Sequence, residues 1–306
     1  MKTLGIALSI LITASLLTAC QDNRKQAEAL LLRAEQAYAM LDLEGAETKV
    51  DSLKAIYMKE YEVLRKALTL SRRIEVVQQQ RNIAYADSMI TTLMPELEAI
   101  TRRSFTFEQG EYSSEGIFFH RTQRGEESAQ RCYLRATVSR GGNFLLASVY
   151  YGANPIKHTA VRVSVDGNEA TSQSVAYDGA ANYRFKDDNS GAHTEVLSLN
   201  AEQENGIMTT ILSSPKAKVE VTLLGGTPLR YTLRDDARKA LSETYELGTL
   251  LSKLNTFEKE WERSKNRLAY LQAKLKGDPV GHNELPTKVP TINPDSAPIS
   301  HSLTEE

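Results

Sequence analysis

Leu247, Leu250, Leu254, Phe257, Trp261, Ser264, Leu268, Leu271 and Leu275 step along the chain by alternating three and four residues. That is nearly four heptads of a coiled-coil seam with Glu and Lys between the seam positions, and a helix with such a stripe must lay it against a partner. Gly277 and Pro279 stop the helix, as helix ends require. An apolar stripe earlier in the chain is the nearest partner: Leu64, Leu68, Ile74, Val77, Tyr85 and Met89 predict a helix over roughly 54–94, ended or kinked at Pro95. Each helix is about 40 residues, or about 60 Å at 1.5 Å per residue. One enters the segment between them and the other leaves it, so side-by-side packing is antiparallel. A homodimer through the same seam is the competing solution.

Between the two helices the hydrophobic period changes. In Arg131–Val138 the alternation places Cys132, Leu134, Ala136 and Val138 on one face of a strand. Phe144–Tyr151, Ala160–Val165, Lys218–Leu224 and Leu229–Leu233 are further strands, and Gly141-Gly142-Asn143, Asp166-Gly167 and Gly225-Gly226 supply turns. One segment dissents, since Asn200 followed by Ala201–Ser213 reads as a capped short helix across the sheet. The fold class predicted is α+β, with an antiparallel β-sandwich-like domain over 104–234 between an N-terminal helical region over 20–103 and a coiled-coil helix over 235–276. The two long helices would form a stalk carrying the β-domain.

Ahead of the first long helix, Ala27, Leu30, Leu31, Ala34, Ala37 and Leu41 predict a helix over 24–45, interrupted at Gly45. A second helical pattern follows through Ala46, Val50, Leu53 and Tyr57. The stretch Ala34–Tyr57, with small residues at the helix crossing, resembles a tetratricopeptide-type hairpin. The resemblance covers one hairpin, and stacked repeats need about three, so the segment is read as an αα-hairpin.

The extreme N-terminus reads as an address. Lys2 precedes an apolar run from Leu4 to Ala19, too short to span a bilayer stably, so 1–19 is a signal peptide. It closes on Leu17-Thr18-Ala19-Cys20, which resembles the lipobox of bacterial lipoproteins. The resemblance implies cleavage before Cys20, a diacylglyceryl group on its thiol, acylation of the new amine, and anchorage in a membrane of the cell envelope. Gln21 follows, not the aspartate that by the same resemblance favours the inner membrane, so an outer-membrane address is expected. At the other end, residues 277–306 hold five prolines and almost no large apolar side chain; such a tail cannot bury enough surface to order itself. Its Asp295-Ser296-Ala297 resembles the three-residue O-glycosylation acceptor of some Gram-negative envelope proteins.

Chemistry is sparsely written. A net charge of −2 gives no field to recruit nucleic acid. Two cysteines, Cys20 and Cys132, make no disulfide framework, and Cys132 alternates with core residues. His120, His158, His193, His282 and His301 show no metal-ligand spacing, and neither a metal nor another cofactor is expected. Ser213-Ser214-Pro215-Lys216 contains a Ser-x-x-Lys step without its companion motifs, and Asp187–Gly191 reads as a solvated turn. No catalytic residue is assigned. A hydrolase would need His120 or His158 beside a carboxylate in a cleft, because triads are spatial rather than sequential. The function expected is that of a lipid-anchored, non-catalytic envelope protein binding another envelope protein. The alternative is a glycan or cell-wall binding module with Tyr150, Tyr151 and Tyr183 as stacking rings.

Overall fold

The computed structural model describes residues 23–109, 115–124 and 130–277. The lipobox with Cys20, and the Pro-rich tail except Gly277, lie outside the described residues. The chain divides into two compact units, one of residues 1–89 and 258–306, the other of residues 90–257. The class is α+β as predicted, and the long C-terminal helix packs on the long helix that precedes the β-region.

The first unit is helical. Helix α1 (residues 23–39) and α2 (Leu43–Ile56) form the hairpin, and the first part of α3 (Tyr61–Ser104) packs on it. Its core joins Ala27, Leu31, Ala34 and Ala37 to Leu43, Ala46, Val50 and Leu53, and then to Val63, Ala67, Leu70, Ile74 and Val77. The small residues let the helices approach closely. Two boundaries differ from the prediction. The chain turns at Leu41, which takes φ +61°, and Asp42 caps α2 by accepting from the Gly45 N–H at 2.9 Å. Gly45 therefore lies in the first turn of α2 and interrupts nothing. The second break comes at residues 57–60, which separate α2 from α3, so no helix runs on from residue 54. Within this unit α5 (Asp235–Lys276) buries Ser264 and Leu271 and half-buries Trp261, Leu268 and Leu275, and Arg267 grips Glu75 of α3 through two bonds of 2.5 and 3.0 Å.

The second unit holds two antiparallel sheets. In chain order the strands are β1 (Phe105–Glu108), β2 (Ile117–His120), β3 (Tyr133–Ser139), β4 (Phe144–Gly152), β5 (Ala160–Val165), β6 (Asn168–Thr171), β7 (Asn182–Lys186), β8 (His193–Asn200), β9 (Glu220–Leu224) and β10 (Leu229–Thr232). One sheet has the order β1-β2-β3-β4-β8-β7 and the other β10-β9-β5-β6. Their inner faces meet in one core: Leu134, Ala136, Leu146, Leu197 and Leu199 pack against Val161, Val163, Val165, Val221 and Leu223. Helix α4 (Ile207–Ser213) adds Ile207, Met208 and Ile211, and α5 adds Ala237 and Leu241.

Two further details depart from the sequence reading. Asn200 accepts from the Glu202 and Gln203 N–H groups in a turn, so α4 begins only at Ile207, with Glu204 accepting from the Met208 N–H. Helix α3 runs through Pro95 to Ser104. A proline in a helix interior costs about 3 kcal/mol, and here Leu93 and Ile100 flank it in a cluster with Leu247, Leu250 and Leu251 of α5. Burial of that contact holds the helix together across the lost hydrogen bond. Among the described residues no helix is long and apolar enough to cross a membrane.

Candidate functional site

Strand alternation turns one set of residues of the six-stranded sheet into the core and the other set outward. The outward set contains the most chemically distinctive surface of the unit. Register places Tyr133 of β3 opposite Val149 of β4, Val149 opposite Val196 of β8, and Val196 opposite Tyr183 of β7, one row across four strands. The next row pairs Tyr151 with Thr194, and Thr194 with Phe185. Tyr133, Val149 and Val196 pack together as a floor. Tyr183 and Phe185 stand at its side, 37% and 52% exposed, with ring centroids 6.4 Å apart and planes 16° apart.

The result is a groove of about 270 Å³, lined by these aromatics and edged by Gln130, Arg135 and Asp187. Asp187 is held below the usual carboxylate range because its oxygen accepts the backbone N–H groups of Asn189 and Ser190. A carboxylate and a guanidinium thus flank a hydrophobic, aromatic floor. Such a surface can stack on flat apolar faces while hydrogen-bonding polar substituents around them.

Of the three tyrosines proposed from sequence, Tyr151 and Tyr183 line this groove. Tyr150 does not: it is 4% exposed on the core face, where its hydroxyl donates to the Asn154 carbonyl. Tyr133 escaped the sequence reading. Parity was the available signal, since Tyr150 and Tyr151 are adjacent in one strand and must face opposite ways, while Tyr133 alternates with the inward Leu134.

A second constellation lies inside the sandwich. His158 Nδ1 is 2.9 Å from Glu195 Oε2, and His158 Nε2 is 3.5 Å from Ser148 Oγ. Glu195 also accepts the N–H groups of Lys157 and His158 at 2.7 and 2.8 Å. Because Glu195 is an acceptor throughout, the imidazole donates from Nδ1 and leaves Nε2 to accept from the Ser148 hydroxyl. Burial pushes the His158 pKa below its ordinary value, outweighing its carboxylate neighbour. For Glu195 burial acts upward, but the bonds from the His158 ring and the two N–H groups hold it below the usual range.

The order serine, imidazole, carboxylate is that of a hydrolytic relay, yet Ser148, His158 and Glu195 have no exposed surface. A relay needs a substrate carbonyl at the serine oxygen, and here core side chains surround it. What the cluster does instead is fasten the β4–β5 crossover. Asn182 Nδ2 donates to the His158 and Val175 carbonyls, tying the same loop to the sheet edge.

His120 is also paired, and also buried. Nε2 lies 3.0 Å from Glu243 Oε2 of α5, while Nδ1 accepts the Thr122 N–H at 3.3 Å. Glu243 is held below the usual carboxylate range: its burial acts upward, and the bonds from Ser104 and His120 with the charge of Arg103 outweigh it. His193 begins β8, opposite Gly152 and Lys186. Cys132 is half-buried, its thiol directed at the Tyr151 carbonyl 3.7 Å away, and burial pushes its pKa up. Among the described residues no cluster of three His, Cys, Asp or Glu is placed to hold a metal.

Comparison with protein-family models, with characterised proteins and with solved structures gave no match to this chain. The functional reading therefore rests on the residues alone.

Proposed function

We propose that the protein is a lipid-anchored, non-catalytic binding protein of the bacterial cell envelope, attached through Cys20 at the outer membrane, and that its β-unit binds a saccharide of the envelope in the aromatic groove. One observation carries the binding assignment: Tyr133, Tyr151, Tyr183 and Phe185 converge on a single concavity, with Arg135, Thr194 and Asp187 interleaved. Sugar rings present apolar C–H faces to aromatic side chains and hydroxyls to charged and polar ones, and this lining offers both. The address rests on the lipobox resemblance of Leu17-Thr18-Ala19-Cys20.

The double variant Tyr183→Ala/Phe185→Ala tests the site, since both residues are substantially exposed and the fold should tolerate their loss. On an array of envelope polysaccharides and peptidoglycan fragments the parent chain should bind and the variant should lose at least ten-fold in affinity. No binding by the parent above background would sink the saccharide reading.

A protein partner is the second reading, and edge strand β7 favours it. β7 pairs only with β8 among the described residues, so its outer edge can add a strand from an extended peptide beside the groove. Cross-linking in the native envelope, with Cys20→Ala as control, would then recover one dominant protein lost in the control.

A further inference from the structure

The lipid anchor of the proposed function is the premise here. Helix α1 begins at residue 23, three residues beyond Cys20, and three residues of chain reach at most roughly 11 Å. The connection between α2 and α3 lies at the same end of the helical unit. Tyr57 donates its hydroxyl to Gln26 Oε1 at 3.3 Å, and Arg24 lies in the field of Glu60 and Glu62. Behind them Ala27, Leu31, Leu53 and Val63 share one core.

Three large apolar side chains point outward from this end: Ile56, Met58 and Tyr61 are 66%, 67% and 77% exposed. They lie within six residues of one another, and none takes part in the core of the hairpin. Lys54 and Lys59 flank them along the chain, Lys54 bridged to Asp51 at 3.0 Å. Of the nearby acids, Glu62 is bridged by Arg65 at 3.3 Å, and both Glu60 and Glu62 act on Arg24.

We propose that the α2–α3 connection is a membrane-contacting loop, which lowers Ile56 and Met58 into the headgroup–acyl boundary of the bilayer that holds the Cys20 lipid. Tyr61 then lies at headgroup level, where amphipathic rings are favoured, and Lys59 within the loop reaches lipid phosphates. Acyl chains alone tether a protein without orienting it. A second contact at the end of the helical unit where α1 starts fixes how that unit meets the surface.

The test uses the full acylated chain in phosphatidylethanolamine–phosphatidylglycerol vesicles. Trp261 is replaced by Phe and a single tryptophan is introduced by Met58→Trp. Its emission should shift to the blue and be quenched at least two-fold by lipids brominated high on the acyl chain. The control is Met40→Trp, at a residue 75% exposed beyond the other end of α1, roughly 25 Å away along 17 helical residues; it should stay unquenched.

Water-like emission from Met58→Trp, a blue shift without bromine quenching (burial against a protein), or equal quenching of Met40→Trp would each overturn the loop assignment. The mass of the N-terminal peptide separates the premise from the inference. An unmodified Cys20 overturns the anchor, whereas acylated Cys20 with an unquenched Met58→Trp overturns the loop alone.

Discussion

Glu195 Oε2 accepts both the ring Nδ1–H and the backbone N–H of His158, at 2.9 and 2.8 Å, with both residues wholly buried. One carboxylate thereby fixes the position and the tautomer of the loop that crosses from one sheet to the other. Removing one member of a buried, charge-assisted pair leaves its partners unsatisfied, at about 3–5 kcal/mol. Glu195→Ala should therefore lower the unfolding free energy of the β-unit by about that much, read from urea denaturation followed at a core probe. A change below about 1 kcal/mol would show that the pair is not what holds the crossover.

The same pair makes stability depend on pH. The folded pKa of His158 lies below its ordinary 6.5, so the unfolded chain takes up a proton first and stability declines as pH falls through 6.5. Glu195 lies below its ordinary 4.5, so its contribution is complete above 4.5 and is lost on further acidification. Both signs agree. The groups facing His158 are Glu195 and Arg184, the latter adding to the downward pull. Denaturation midpoints measured from pH 8 to pH 4 should fall monotonically, and His158→Asn should flatten the upper part of that fall. A parent midpoint that rises on acidification would contradict the assignment.

Much of this architecture is legible in the sequence, and the illegible parts have physical causes. The seam from Leu247 to Leu275 is readable because nine inward positions repeat one period, and all nine are buried or half-buried. Strand β3 is readable because Leu134, Ala136 and Val138 alternate cleanly. Strand β8 is not, because its inward set contains Glu195, and a buried carboxylate imitates a solvent-facing position. The groove is half-legible: the aromatics can be listed from sequence, but only the β4–β8–β7 register brings Tyr151 together with Tyr183 and Phe185. The pairing of His120 with Glu243 spans 123 residues and has no local signal.

The seam supplies a comparison within each unit. Leu247, 0% exposed, and Leu271, 1% exposed, are seam positions, whereas Lys259 on the same helix is exposed. An aspartate at either seam position buries an unpaired charge as well as losing apolar contacts, so Leu247→Asp and Leu271→Asp should each cost about 3 kcal/mol or more. Lys259→Ala should stay within about 0.5 kcal/mol. Helical circular dichroism through thermal melts reads both. Equal melting temperatures for all three variants would mean that the seam is not packed within the chain.

Two glycines with the same backbone conformation separate strain from crowding. Gly142 and Gly167 have φ of +85° and +82°. A Cβ at Gly167 meets nothing within 4 Å, whereas one at Gly142 would lie 2.6 Å from the Ser252 backbone nitrogen of α5. Gly167→Ala should therefore cost only the left-handed conformation, about 1 kcal/mol. Gly142→Ala carries that cost and also pushes the β3–β4 turn off the helix. It should lose about 2 kcal/mol more, within the range for overpacking a tight contact. The helix cannot yield locally, because the atoms in the way are backbone. Thermal denaturation of the two variants side by side checks this, and equal losses would show that the turn and α5 are not in close contact in solution.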